Sequence, residues 1–388
     1  VSERVKTKLI HLALFIVTFI TTTLAGAEWT HGKSILALTD EHFFNQDYTL
    51  ADLWSGLPYS ICFLLILTAH EFGHYFVARY YKVQVTLPYF IPLPPIPLMF
   101  GTMGALIRLK SPVRTMQQNF DIGIAGPLAG FVVAIGFLWY GFSHLPPPEY
   151  VFQFHPGYEK FGLDYANLVY RPENMPDGTV DVLIGKNLLF VFFDQFVADP
   201  ARMPNVHEIM HYPFLFAGFL SLVFTSMNLL PVGQLDGGHV LYGLIGFKRH
   251  RIVATVIFIC FLFYAGIGFI SPYQPWSELS YQIPLYVGFL FLALKGLRQS
   301  TQTTLLLALS VFMAQYVLAI LFPHFQGYAG WLLFMFIVGR FVGIPHPPCE
   351  VEEPLTTGRK LLGWFALLIF ILCFTPAPIS LIQYLKQS

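Results

Sequence analysis

The sequence predicts an all-α polytopic membrane protein of about nine transmembrane helices with a short membrane-associated β-hairpin. Three observations predict it. The 388 residues are 55% hydrophobic and only 11% charged, far too apolar for a soluble chain of this length. Apolar runs long enough to cross a bilayer recur from end to end. Lys and Arg fall on alternate connections, as expected when positive charge stays on one side of a membrane. Lys+Arg and Asp+Glu balance at 22 each, so charge points to no nucleic-acid partner; the partner that composition implies is the lipid bilayer. The four cysteines, Cys62, Cys260, Cys349 and Cys373, have neither zinc-ligand spacing nor the pattern of a disulfide framework.

Taken in order, Arg4, Lys6 and Lys8 precede an apolar run over 9–25, which places the N-terminus in the cytoplasm. Ala25-Gly26-Ala27 has the form of a signal cleavage site, but the run is long for a signal and a retained first span is favoured. A polar outer connection follows over 28–54. The second span, 57–80, ends at Arg79 and Lys82 on the cytoplasmic side. Five prolines between Pro88 and Pro97 exclude a regular helix there. Phe100-Gly101-Thr102-Met103-Gly104-Ala105 reads as a strand or hairpin with glycine turns. An ordinary cytoplasmic hairpin fits these residues, and so does irregular backbone lining a cavity at membrane depth. In the second case a free strand edge could pair with an extended peptide.

The third span, 119–145, begins with the small residues Gly123 to Gly130, which permit close helix contact. Residues 146–211 form the one large polar segment, with nine acidic residues against four Lys and Arg, and are expected outside. Within it Leu188 to Phe196 suits an interfacial helix. The fourth span, 212–230, returns to the cytoplasmic side and ends at Pro231. Further spans are expected near 252–270, 282–297, 303–322, 328–344 and 360–382, with the C-terminus outside. The division is therefore 1–54 as first span and outer connection, 55–251 as a membrane core that includes the outer loop 146–211 and holds the candidate catalytic residues described next, and 252–388 as C-terminal spans.

The chemistry concentrates in Leu67 to Tyr75, which holds His70-Glu71-Phe72-Gly73-His74. On a helix His70 and His74 share one face and can reach one metal ion. Glu71 lies beside them, placed to take a proton from a metal-bound water. Two histidines and a carboxylate are costly in a bilayer-length apolar run, so a functional site is the default reading. Catalytic zinc uses about three protein ligands, and the third must come from a segment returning to the same depth. Asp236, in the turn of Leu235-Asp236-Gly237-Gly238, is the best candidate. Asn228 could hold a substrate carbonyl or oxyanion, and a packing role suits it equally.

These two motifs, with Phe100 to Ala105 and Gly123 to Gly130, resemble the site-2 protease family of intramembrane zinc metalloproteases. The resemblance covers about residues 55–245. It implies that His70, His74 and Asp236 bind Zn2+ and that Glu71 is the catalytic acid and base. It also implies a three-helix core, a membrane-entering β-hairpin at about 86–110, and cleavage of transmembrane segments of membrane-anchored proteins. No segment reads as a PDZ domain, and the chain looks most like the form with extra C-terminal spans. A bacterial inner membrane is the expected location. The competing reading is a transporter or metal carrier using the same His and Asp residues. A carrier would carry repeated halves, and the sequence has none.

Overall fold

Helix dominates residues 3–37, 43–175 and 178–384, which the computed structural model describes. In chain order come α1 (Glu3–His31), α2 (Leu50–Ser55), α3 (Leu57–Tyr80), β1 (Tyr89–Pro92), β2 (Thr102–Leu106), α4 (Met116–Ser143), α5 (Tyr165–Val169), β3 (Val180–Ile184), α6 (Leu188–Phe196), α7 (Pro213–Leu229), α8 (Asp236–Ala265), α9 (Trp276–Leu294), α10 (Thr301–Leu321), α11 (Gly330–Ile337), α12 (Thr357–Cys373) and β4 (Ile379–Gln383). They fall into two compact units. The first draws on residues 1–112, 125–227 and 371–388; the second on 113–124 and 228–370.

In the first unit α1 carries four buried threonines at positions that would otherwise be apolar: Thr18, Thr22, Thr23 and Thr30. Three of their hydroxyls donate to the carbonyl four residues back: Thr22 to Thr18, Thr23 to Phe19, and Thr30 to Gly26. That local bond is how hydroxyl side chains are accommodated inside an apolar helix. Thr22 Oγ1 also lies 2.7 Å from Ser60 Oγ on α3. The two helices approach closely because Gly26 and Gly56 meet there. A Cβ on Gly56 would come within 1.9 Å of the Thr23 carbonyl.

β1 and β2 pair antiparallel, Tyr89 opposite Leu106 and Phe90 opposite Ala105, with an irregularity before Pro92. The hairpin lies along α1. His11 Nδ1 donates to the Pro88 carbonyl at 3.0 Å, Thr21 Oγ1 to Gly101 at 2.7 Å, and Trp29 Nε1 to Met99 at 3.0 Å. Positions 11 and 29 are about 27 Å apart on a helix, close to a bilayer core thickness. The hairpin's contacts thus run along most of the length of that apolar helix. Further on, α6 presses Phe190 and Phe193 against Phe142 of α4. β3 pairs with β4 over Val180 to Ile184 and Ile379 to Gln383.

In the second unit α8 breaks at Gly246, whose φ of 75° is open to glycine and strained for other residues. Its far end is buried and satisfied by Gln315 of α10, which donates to the Leu262 and Phe263 carbonyls and accepts from Tyr286. Arg359 grips Asp121 with two parallel bonds, at 2.9 and 2.8 Å. A π turn over Val338–Val342 ends α11; a Cβ on its Gly339 would lie 2.2 Å from the Ala293 carbonyl.

Among the described residues five helices are long and apolar enough to cross a membrane: Val5–His31, Leu57–Tyr80, Met116–Ser143, Trp276–Leu297 and Thr301–Leu321. The other four predicted spans fall on shorter or interrupted helices. α7 and α12 have 17 residues each, α8 is broken at Gly246, and α11 has 8 residues before its π turn. The span expected over 360–382 stops at Cys373, because Pro376 and Pro378 cannot continue a helix, and the chain turns back as β4.

Candidate active site

The site is built on α3. Gly73 lets this helix meet α4, since a Cβ there would lie 2.5 Å from the Ala125 carbonyl. His70 and His74 stand one turn apart on that same face. Both are 7% exposed and Glu71 is 5% exposed, so all three polar groups are buried within the helix pair. The two imidazole Nε2 atoms are 3.1 Å apart. Glu71 Oε1 lies 4.0 Å from His70 Nε2, within reach through one water.

This geometry fits a zinc ion. Two nitrogens on one tetrahedral zinc, each about 2.0–2.1 Å from it, are about 3.3 Å from one another. Converging nitrogens at that spacing are what a shared metal requires. The opposing wall makes room for them. A Cβ at Gly126 of α4 would sit 2.1 Å from His74 Nε2, and one at Gly130 would sit 3.1 Å from His70 Cβ. The small residues of 123–130 therefore do more than bring helices together: Gly126 leaves the space that the His74 ring occupies. Sequence reasoning found the stripe and its packing use but not this role, because such stripes are common in membrane helices.

The remaining candidates lie in the second unit. Asn228 is half-buried in the last turn of α7. Asp236 is half-buried and opens α8, where a carboxylate is favoured by the helix N-terminus. The intervening 230–235 is a tight non-helical turn. Two glycines in the first turn of α8 are obligatory: a Cβ on Gly237 would lie 1.9 Å from the Leu229 carbonyl, and one on Gly238 would lie 2.2 Å from the Gly233 carbonyl. The turn thus folds the start of α8 onto the end of α7, which brings the backbone beside Asp236 to within a residue of Asn228.

A mostly helical membrane protein whose bilayer-length helix carries a buried His-Glu-x-x-His pair suited to zinc belongs with the membrane metallopeptidases. The chain is a member of peptidase family M50, whose model it matches over residues 58–267. It is similar to a probable zinc metalloprotease EGY1, chloroplastic, of Arabidopsis thaliana, with 31% identity over 194 residues, 50% of this chain and 30% of that protein. The rice (Oryza sativa subsp. japonica) protein of the same name is 29% identical over 192 residues, covering 50% of this chain and 28% of its own length. The Arabidopsis thaliana EGY2, also named a probable chloroplastic zinc metalloprotease, is 26% identical over 196 residues. The chain spans less than a third of the length of these relatives over the matched region. Their chloroplastic names overturn the bacterial inner membrane expected from sequence.

Proposed function

We propose that this chain is an intramembrane endopeptidase that cuts transmembrane segments of membrane-anchored proteins in regulated proteolysis. The observation that carries the reading is the buried 3.1 Å convergence of His70 and His74 with Glu71 beside them, on a helix of membrane-crossing length. Asp236 is the third ligand in this reading, since zinc of the catalytic kind keeps three protein ligands. When bound, zinc supplies Lewis acidity toward the scissile carbonyl and lowers the pKa of the attacking water. Glu71 takes the proton released as water oxygen bonds to the carbonyl carbon. It gives that proton to the amide nitrogen as the C–N bond breaks. The Asn228 amide N–H donates to the carbonyl oxygen as negative charge builds there. Residues 55–251 carry this chemistry, and a substrate unwound at the cut adds a strand to the hairpin edge.

Nine crossings are part of the same reading. β3 and β4 pair, so residues 184 and 379 lie on one side of the membrane. Seven helices separate them; with the short α6 at the interface, the six that cross in this reading, α7 to α12, are an even number as the pairing demands. A chloroplast membrane is the location its relatives support. The reading is tested by incubating the zinc-loaded chain in detergent with a tagged single-span substrate. Cleavage that a chelator abolishes and zinc restores is expected. An intact substrate with zinc bound to the wild-type chain would sink the proposal.

A further inference from the structure

A second constellation of metal-ligating side chains lies in the first unit, away from α3. His155 and His211 present their Nε2 atoms to one another at 3.2 Å. Glu208 Oε2 lies 3.4 Å from the first and 3.6 Å from the second. These three separations form a nearly equilateral triangle. Ligands about 2.0–2.1 Å from one tetrahedral zinc have edges of about 3.3 Å. A point about 2 Å from all three atoms therefore exists, slightly out of their plane, as a three-ligand site requires.

The surroundings prepare those atoms as ligands. His211 Nδ1 lies 2.8 Å from the Thr30 carbonyl, which can only accept. The ring proton is therefore on Nδ1, and the lone pair of Nε2 points at the cluster; the other-nitrogen bond to a carbonyl is the usual support of a metal-bound histidine. Tyr170 donates its hydroxyl to Glu208 Oε1, which orients the carboxylate. Glu208 is fully buried, and its Oε2 has no hydrogen-bond partner. An ionised oxygen left so in a protein interior is costly unless a cation faces it. His155 is the one ligand reached by solvent, with its side chain 33% exposed, and it gives the ion a way in.

We propose that His155, Glu208 and His211 bind a second zinc ion, distinct from the one held by His70 and His74. The site joins residue 155 to the 208–211 turn that leads into α7, and through Thr30 to the end of α1. It clasps the large polar segment against the helices it connects. A divalent cation also faces the unbonded oxygen of a buried carboxylate set between two imidazole rings. The proposal does not depend on the peptidase reading.

The test counts metal on the full chain in detergent. Protein stripped with a chelator is reloaded with zinc, freed of excess, and measured by mass spectrometry. Two ions per chain are expected in the wild type, one in His155→Ala, and one in the double variant His70→Ala/His74→Ala. Glu208→Gln keeps the shape of the side chain and should weaken the second ion at least about tenfold. His155→Ala removes a partly exposed ring, so its folding is not at issue; monodispersity on gel filtration verifies this. Reloading with cobalt should give the visible absorption of a low-coordinate ion in His70→Ala/His74→Ala, lost when His155→Ala is added. A wild type holding a single ion that His70→Ala/His74→Ala removes would overturn the proposal. So would two ions retained undiminished in both Glu208→Gln and His155→Ala.

Discussion

Glu71 and Gly126 sit on opposite walls of one small space and answer different questions. Glu71 adjoins His70 in sequence, but successive residues on a helix point about 100° apart, so its carboxylate stands beside the histidine pair rather than within it. Its nearest oxygen is 4.0 Å from His70 Nε2. Glu71→Gln should keep zinc and fold while lowering turnover by about 100- to 10,000-fold, the range of a positioned acid–base group. Zinc by mass spectrometry and cleavage of a single-span substrate check it; near-normal turnover with zinc bound would end the proton-transfer role. Gly126→Ala tests the other wall. Its Cβ would fall 2.1 Å from His74 Nε2, so the ring or α4 must move. We expect zinc affinity to fall at least about tenfold with little loss of helix content, measured by zinc titration and circular dichroism. The His-Glu-x-x-His pair was legible in the sequence because its spacing alone defines a metal face. Gly126 was not, because what a missing Cβ makes room for depends on a helix some fifty residues away in sequence.

At the scale of elements, the helices were legible and their interruptions were not. Apolar length marks a helix, and each predicted span coincides with one in whole or part. The π turn after α11 sits where Gly339 meets the Ala293 carbonyl, which no local pattern encodes, and α8 breaks at Gly246, one glycine among many in these helices. The end of α12 was written in Pro376 and Pro378, but the apolar run across them masked the signal. The α1–α3 contact rests on a similar local detail, two glycines facing one another. Gly56→Val should separate these helices, since its Cβ would meet the Thr23 carbonyl at 1.9 Å. Backbone cannot yield as a side-chain tip does, so a loss of at least about 1–3 kcal/mol is expected. Thermal unfolding in detergent measures it, and an unchanged midpoint would show that α1 can move aside freely.

For the whole molecule the strongest constraint is the pairing of the chain's last strand with a strand in its middle. β3 and β4 share five residue pairs, from Val180 with Gln383 to Ile184 with Ile379. Strand pairing cannot be made across a bilayer, so both strands lie on the same side. If α7, which separates residues 211 and 236, crosses as proposed, the start of α8 and the basic run at Lys248 lie on the opposite side. In that arrangement the excess of Lys and Arg there would mark the cytoplasmic side, or its equivalent in an organelle. Charge alone is a weak guide for a connection as long as 146–211, and the strand pair supplies what charge lacks. Three single cysteines in a background without the native four test the arrangement: Glu173→Cys, Gln383→Cys and Lys248→Cys, all at exposed positions. An impermeant maleimide applied to sealed vesicles of one orientation should label the first two together and spare the third. Reversing the vesicles should reverse the pattern. Labelling of Glu173→Cys and Gln383→Cys from opposite faces would break the strand pair and the even count of crossings with it. Labelling of Lys248→Cys together with Glu173→Cys would instead mean that α7 does not cross, and the proposed nine crossings, with Asp236 as third zinc ligand, would fall with it.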